Sequence, residues 1–446
     1  MSAITSARLR RFGPAAWSMG SRVLAGVSFL LVNSYLARRL GPADFGIVAV
    51  VTSVAMFGSF VTTAGVNRVL LRNVAGGLAT GRGEQVSLDL SFARRILAAS
   101  IPIGGGITFL MSAFFVRHAS DVVSASVAGA LVAVGSGLML LFADLLRGLG
   151  EIHLANLGAG RNGGAIATTL YAVLLAVTGR DLLSSTSALL LNVAALLISV
   201  LASYIVYRRL RPPAVSASTI VDAGVERAFV VSSLLFMGTQ LAAFTASQVD
   251  LWVVSGNLSE RSAGIYAAAL RLMGVVSMPL LAAQLIVSSR VAALRALGRM
   301  AELEALVRRT ATIITVPALL ILLPCVLAPG WILTLFYGRR YESGAFVLAA
   351  LGMAQMVNVV TGLCGTTLAM CSKEQLLLRV SLLWTVLSFV CDLAAARVFG
   401  MNGVAVASGL TTAGQYIMFW VMARVSLGVW THPGRLRMPA SSAPAT

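Results

Sequence analysis

Two stretches decide how this chain folds: VNSYLARRLGPADFGIVAVVTSV at 32–54 and SGNLSERSAGIYAAALRLMG at 255–274. Each holds a Leu, five residues, Gly-Ile, one residue and Ala. Leu40, Gly46, Ile47 and Ala49 answer Leu258, Gly264, Ile265 and Ala267, 218 residues later. A phrase repeated half a chain apart points to a duplicated architecture, and the composition around it says of what kind. Of 446 residues, 58% are hydrophobic and only 11% charged, with a mean hydropathy of +0.89. A soluble domain carries about 25% charged residues.

Apolar runs long enough to cross a bilayer recur throughout. The pattern predicts twelve spans, at 15–37, 44–66, 95–116, 123–146, 154–177, 183–206, 228–253, 262–286, 311–335, 345–369, 375–396 and 402–426. The repeat offset divides them into two sets of six. Six is even, so both halves enter from the same side and are parallel repeats rather than inverted ones. The expected fold is an all-α polytopic membrane protein with about 12 transmembrane helices, in two parallel-repeat six-helix bundles around a central cleft. The expected boundaries are an N-terminal bundle at 1–207, a linker at 208–227, a C-terminal bundle at 228–428 and a tail at 429–446. The linker, RRLRPPAVSASTIVDAGVER, is marked by Pro-Pro and Ser.

The net charge of +18 is a topology signal rather than a nucleic-acid footprint. With the N-terminus inside, 24 of the 34 Lys and Arg fall in cytoplasmic segments and 8 outside, while Arg22 and Arg271 lie within helices. That bias satisfies the positive-inside rule and places both termini in the cytoplasm. Attraction to anionic headgroups is a secondary effect. The basic N-terminus precedes a full-length apolar segment without a clear cleavage site and reads as a retained first helix. The four cysteines, Cys325, Cys364, Cys371 and Cys391, show no metal spacing and read as free thiols packed among helices.

Local features agree with a duplication. The third span carries Pro102 before Gly104, Gly105 and Gly106, and the ninth carries Pro317, Pro324 and Pro329, so each half is expected to bend there. Residues 287–310 place Val291, Leu294, Leu297, Met300, Leu303 and Leu306 three apart, which predicts one amphipathic cytoplasmic helix. Two six-helix bundles joined by a linker suggest alternating access around the cleft.

The chain resembles the polysaccharide-biosynthesis flippases of the multidrug/oligosaccharidyl-lipid/polysaccharide exporter superfamily. Leu40-Gly41-Pro42-Ala43-Asp44-Phe45-Gly46 is similar to the turn that joins their first two helices. DLWVVSGNLSERSAGIYAAALRL (250–272) resembles their junction of the seventh and eighth helices, with Asp250 before an apolar stretch and Gly264-Ile265-Tyr266 after it. FGMNGVAVASG (399–409) resembles the start of their last helix, with Val404 in place of an Ala. The resemblance spans the whole chain and implies two bundles forming a V-shaped cleft. It also implies movement of a polyprenyl-diphosphate-linked oligosaccharide between leaflets, for O-antigen (lipopolysaccharide), capsule or exopolysaccharide assembly. The superfamily's drug antiporters usually carry an Asp in the first helix. This chain has Arg22 and Asn33 there and no acid, which favours an anionic substrate.

An ionisable group in a span is costly and marks a cavity or a partner. Arg22 either grips a diphosphate by charge-assisted hydrogen bonds or snorkels to the surface. Arg271, deeper in the eighth span, faces the cavity or sits in a structural ion pair. Asp250 pairs with Arg271, titrates as a coupling site, or ties the seventh helix to its neighbours. Arg161 with Asn162 faces the cleft, or the following glycines serve helix packing alone. Arg68 and Arg72 mark the cytoplasmic mouth, where they collect an anionic headgroup. Asp392 lies in the eleventh span with no evident partner, and Asp144 with Arg147 reads as a surface pair.

His118, His153 and His432 are scattered, and GRGEQVS at 81–87 lacks the Lys of a phosphate loop. The sequence therefore carries no enzyme constellation, cofactor site or ATP site. Energy must come from the membrane potential, worth about 2.3 kcal/mol per charge per 100 mV, or from H+ or Na+ exchange. The expected partners are an anionic lipid-linked oligosaccharide and membrane lipids, with a polysaccharide polymerase as a candidate and no nucleic acid. The expected location is the inner (cytoplasmic) membrane. The rivals are a drug or organic-cation antiporter, a membrane glycan polymerase or ligase, and a peptidoglycan lipid-precursor flippase. The second would need a large external loop, and every expected external loop is short.

Overall fold

A computed structural model describes residues 2–79, 83–119, 121–151, 153–155, 164–179, 182–210 and 223–434. Lipid offers no hydrogen bonds, so a spanning backbone must satisfy its own, and helices do so locally. Among the described residues there is no strand. The helices are α1 (Ser2–Thr63), α2 (Val66–Ala79), α3 (Gly83–Phe115), α4 (Val122–Gly148), α5 (Gly164–Val177), α6 (Ser185–Leu210), α7 (Ala223–Ala246), α8 (Val249–Asn257), α9 (Glu260–Val276) and α10 (Met278–Ala296). They continue as α11 (Met300–Leu327), α12 (Pro329–Tyr337), a 3₁₀ turn (Arg339–Gly344), α13 (Ala345–Thr361), α14 (Cys364–Met370) and α15 (Glu374–Leu427). Among the described residues, eight helices or parts of helices are long and apolar enough to cross a membrane.

Two of these helices each carry two of the expected spans. α1 bends at Gly41 (φ 79°, ψ 176°), within the turn picked out from the sequence. α15 bends at Gly400 (φ 60°, ψ −148°), at the start of the FGMNGVAVASG phrase. Both conformations are ones that a residue with a Cβ rarely adopts.

The chain divides into two compact units. The first is Met1–Gln248 with Ser259–Gly264, and the second is Val249–Leu258 with Ile265–Thr446. In the first, α1 packs on α3, α4 and α5, and α4 packs on α6. The approach runs through small residues, as expected where lipid supplies no hydrophobic drive between helices. A methyl group on Gly104 would meet the Thr62 nitrogen at 2.6 Å, and one on Gly137 would meet the Thr62 side chain at 3.0 Å. Ser100 Oγ donates to the Thr62 carbonyl at 2.7 Å. Close approach is thus what Gly104 provides. α3 runs through Pro102 as one helix, and α11 runs through Pro317 and Pro324. The expected bends are not helix breaks, and the glycines carry the sharp changes of direction instead.

The repeated phrase meets itself within this first unit. A methyl on Gly46 would land on the Glu260 carbonyl oxygen and 2.8 Å from the Gly264 nitrogen. One on Gly264 would land on the Pro42 carbonyl oxygen and 2.9 Å from the Gly46 nitrogen. Pro42 and Glu260 are separated by the same repeat offset as the glycines. The contact has the symmetry of the duplication, and each copy of the phrase supplies the carbonyl that fills the other's missing side chain.

In the second unit α15 packs on α8, α13 and α14, while α11 packs on α10 and α13. The expected single amphipathic helix at 287–310 is instead two helices, α10 and α11, turned at Leu297–Arg299. Gly298 (φ 71°) stops α10. Its N–H bonds the Arg295 carbonyl and the Arg299 N–H bonds the Leu294 carbonyl, each at 3.0 Å, the paired bonds of a Schellman stop. Most of the apolar stripe faces inward: Val291, Leu303 and Val307 lie in a buried cluster, with Leu294, Met300 and Leu306 against it. The expected eighth span is likewise broken at Ser277, before a helix with Pro279 in its first turn. Proline lacks the N–H that would bond back into α9.

Beyond α15 the chain straps back over its own unit. Thr431 Oγ1 donates to the Thr361 carbonyl at 2.6 Å, and the Gly434 N–H reaches Thr312 Oγ1 at 3.3 Å. Trp420, Trp430 and His432 stack around it. Of the four free cysteines, three are buried and Cys391 is half-buried.

Candidate functional site

The ionisable groups fall into separate clusters within each unit. In the second, Asp250 stands in the first turn of α8, one residue after its start. Its carboxylate is buried. Oδ2 accepts from Tyr266 at 2.9 Å and from Ser408 at 3.2 Å, and Oδ1 accepts from the Leu251 N–H at 2.8 Å. Hydroxyls and the backbone engage the Asp250 carboxylate. Arg271 is half-buried and acts electrostatically on the buried Tyr337 and Tyr341.

Asp392 is fully buried in α15. Ser388 Oγ donates to its Oδ2 at 3.0 Å, while Oδ1 is buried with no hydrogen-bond partner. Thr411 lies between the two acids: its hydroxyl donates to the Ala407 carbonyl at 2.9 Å and contacts Ser388 Oγ and the Ser408 carbonyl, each at 3.1 Å. Ser408 touches Asp250 through its hydroxyl and Thr411 through its carbonyl, so the two acids share one polar patch without a continuous chain of hydroxyls. The spacing that brings Ser388 to Asp392 is i,i+4 on one helix face, a signal legible in the sequence. The contribution of Ser408 and Thr411, from the far side of the Gly400 bend, was not.

In the first unit Asn33 is buried and donates to the Phe29 carbonyl at 2.6 Å. Arg22 falls in α1, and its side chain lies outside the described residues, as do Arg161 and Asn162. Arg72 is exposed; its Nε meets Asn73 Oδ1 at 3.2 Å, and its guanidinium lies 5.9 Å from the Phe236 ring centroid. Asn73 in turn donates to the buried Asp89 at 2.9 Å. Asp144, expected at the surface, is buried. Arg147 Nη1 donates to its Oδ1 at 2.6 Å and Asn67 Nδ2 to its Oδ2 at 2.8 Å, while Arg68 Nε stands 3.7 Å from Oδ2. The surface reading failed because α2 folds over this end of α4. Val66, Val69, Leu70 and Val74 of α2 share an apolar cluster with Leu141 and Leu145. Among the described residues no group of three or more His, Cys, Asp or Glu could hold a metal ion.

Comparison with known proteins follows the same lines. The sequence model of the family described as "Polysaccharide biosynthesis protein" matches residues 11–288. No curated protein matches the chain. Among solved structures, one similar fold is an inward-facing multidrug resistance MATE family transporter of the MOP superfamily. It is 14% identical, with a TM-score of 0.73, over 93% of this chain and 98% of that one. A second is the Vibrio cholerae MATE transporter VcmN, 15% identical, TM-score 0.59, over 95% and 98%. A third is a MOP superfamily transporter from Pyrococcus furiosus, 14% identical, TM-score 0.55, over 93% and 94%. At these identities the likeness is one of fold, and the fold is that of a multi-pass membrane protein.

Proposed function

The chain belongs to the polysaccharide biosynthesis protein family, and on that premise we propose that it is a secondary transporter, not an enzyme. Its cargo in this reading is a polyprenyl-diphosphate-linked oligosaccharide, the repeat unit of an O-antigen, capsule or exopolysaccharide. It flips that unit across the cytoplasmic membrane by alternating access, with both termini on the cytoplasmic side.

The segregation of charge carries the reading. The buried aspartates Asp89, Asp144, Asp250 and Asp392 all accept hydrogen bonds from neighbouring side chains. Arg68 and Arg72 stay accessible, and Arg271 is half-buried. At Arg68 and Arg72 a mobile ligand meets guanidinium forks before the enclosed Asp89 and Asp144, which suits a diphosphate and opposes an organic cation. In this proposal Arg68 and Arg72 collect the headgroup, and Arg22, Asn33, Arg161 and Arg271 accompany it through the cleft. Asp250 and Asp392, buried in one patch with Ser388, Ser408 and Thr411, exchange the coupling H+ or Na+.

The test is made in a strain lacking the gene. Lipid-linked glycans are extracted and quantified by mass spectrometry, with restoration by the wild type and by Arg271→Ala. Complete repeat units should accumulate and surface polysaccharide should fall; the wild type should restore both and the variant should not. An unchanged glycan pool would overturn the proposal and turn attention to efflux of small cations.

A further inference from the structure

The candidate span of α4 ends at Gly148, and that of α1 ends at Thr63. Asn67, Arg68, Asp144 and Arg147 therefore gather where spans reach the membrane boundary. The local stop is firm: Gly150 (φ 88°) closes α4, its N–H on the Arg147 carbonyl at 3.0 Å and the Glu151 N–H on the Leu146 carbonyl at 2.9 Å. Arg147 is thereby fixed in the last turn. Its side chain is 23% exposed, that of Arg68 is 44% exposed, and that of Asp144 is 3% exposed.

The charges do not balance. One buried carboxylate, Asp144, faces the two guanidiniums of Arg68 and Arg147, while Arg72, one helical turn beyond Arg68, stands beside Asn73 and the buried Asp89. A guanidinium offers five N–H donors. Asp144 takes a short bond from Arg147 but stands 3.7 Å from Arg68 Nε, beyond hydrogen-bonding distance. The remaining donors of Arg68 and Arg147 have no partner among the described residues. Positive charge at a membrane boundary attracts anionic headgroups.

We propose that Arg68 and Arg147, oriented by Asp144, form a binding site for a phosphate or diphosphate group at the membrane boundary. Arg147 closes on the anion from α4 and Arg68 from α2, and Asp144 is the positioning residue between them. The anion is either the diphosphate of a lipid-linked glycan or the headgroup of an anionic phospholipid. The first source rests on the flippase reading, and the site itself does not.

The test uses the full-length protein in nanodiscs of zwitterionic lipid, titrated calorimetrically with inorganic pyrophosphate. Saturable binding is expected. Arg68→Gln should weaken it about tenfold, the loss of one charge-assisted contact. Arg147→Lys keeps the charge against Asp144 but not the fork, and should weaken binding at unchanged thermal stability. Arg309→Gln, at an exposed arginine of the second unit, should change nothing. No saturable binding to the wild type, or wild-type affinity in both Arg68→Gln and Arg147→Lys, would overturn the proposal. Phosphatidic acid in the nanodisc that competes with pyrophosphate assigns the site to phospholipid headgroups. Competition by polyprenyl diphosphate alone assigns it to the lipid-linked diphosphate. If pyrophosphate binds as described while the gene-deletion strain keeps a normal glycan pool, the anion site stands and the flippase reading falls. Accumulated glycan without pyrophosphate binding is the reverse.

Discussion

Replacing Gly264 with Ala tests the symmetric contact directly. The added methyl would sit on the Pro42 carbonyl oxygen, with the Gly46 nitrogen 2.9 Å away. Both obstacles are backbone, so no rotamer change relieves them. The two segments must part by roughly 1.5 Å to reach ordinary contact, and such overpacking costs about 1–3 kcal/mol. Helix propensity acts the other way, favouring Ala over Gly by about 1 kcal/mol. Gly274 separates the two terms. It lies in the same helix, α9, and a methyl there meets nothing within 4 Å. Gly274→Ala should therefore hold or raise thermal stability, and Gly264→Ala should lower it. The unfolding midpoint shifts by about 2–4 °C per kcal/mol for a cooperative unit of some 200 residues. Gly46→Ala should match Gly264→Ala, because the contact is reciprocal. The double variant should cost less than the sum of the singles, since the first methyl opens room for the second; coupling between touching residues runs to about 0.5–3 kcal/mol. Thermal unfolding of the wild type and the four variants in one detergent reads all of this. If Gly264→Ala behaves like Gly274→Ala, or if the two repeat-related costs simply add, the close approach is not the reason these positions are glycine.

Three further outcomes follow from the structure. Tyr266→Phe removes a hydrogen bond from the buried Asp250 and should destabilise the protein by about 1–3 kcal/mol in chemical or thermal unfolding, whereas Asp392→Asn, which leaves the Ser388 contact intact, should fold normally and abolish the dependence of transport on the coupling ion; full coupling in that variant would refute the role. Gly298→Ala places a Cβ at φ 71° and should cost about 1 kcal/mol, while the exposed Leu297→Ala next to it should cost much less. Burial, aided by the Arg308 guanidinium, holds the His432 imidazole below the ordinary histidine value of 6.5, so docking of the strap is fully present above that value and weakens as pH falls through it; hydrogen-exchange protection over 428–434, corrected for the intrinsic pH dependence of exchange, that stays constant from pH 8 to pH 5 would contradict this.

The fold was legible where a residue type has only one physical use. The repeated phrase, the Leu40–Gly46 turn and the restart near Gly400 all appear in the structure, because a chain that bends between spans needs a backbone freed of Cβ strain. It was less legible where two readings share one pattern. The threefold spacing from Val291 to Leu306 suits one long amphipathic helix or two short ones, and Gly298 decides between them only when its positive φ is known. The Pro102–Gly106 run reads equally as a hinge or as a contact surface. Thr62 lying against Gly104 makes it the second, and that neighbour comes from another helix.

The polar residues follow the same division. Sequence marked Asp250, Asp392, Arg68 and Arg72 because ionisable groups in greasy surroundings are conspicuous. It could not tell which were covered, since burial depends on what folds over them. Asp144 shows the difference. Its spacing from Arg147 is that of an ordinary surface pair on a helix, worth a few tenths of a kcal/mol. Once the apolar face of α2 closes on Leu141 and Leu145, the same carboxylate is removed from water and its neighbours must satisfy it. Breaking such a pair then costs about 3–5 kcal/mol, because a buried charge is left behind. Cover rather than residue type thus sorts these groups: the aspartates are enclosed and engaged by neighbouring side chains, while the accessible charge at the start of α2 belongs to arginine. An anion approaching there meets attraction unopposed by any exposed carboxylate of the cluster, which the list of charged residues alone would not have disclosed.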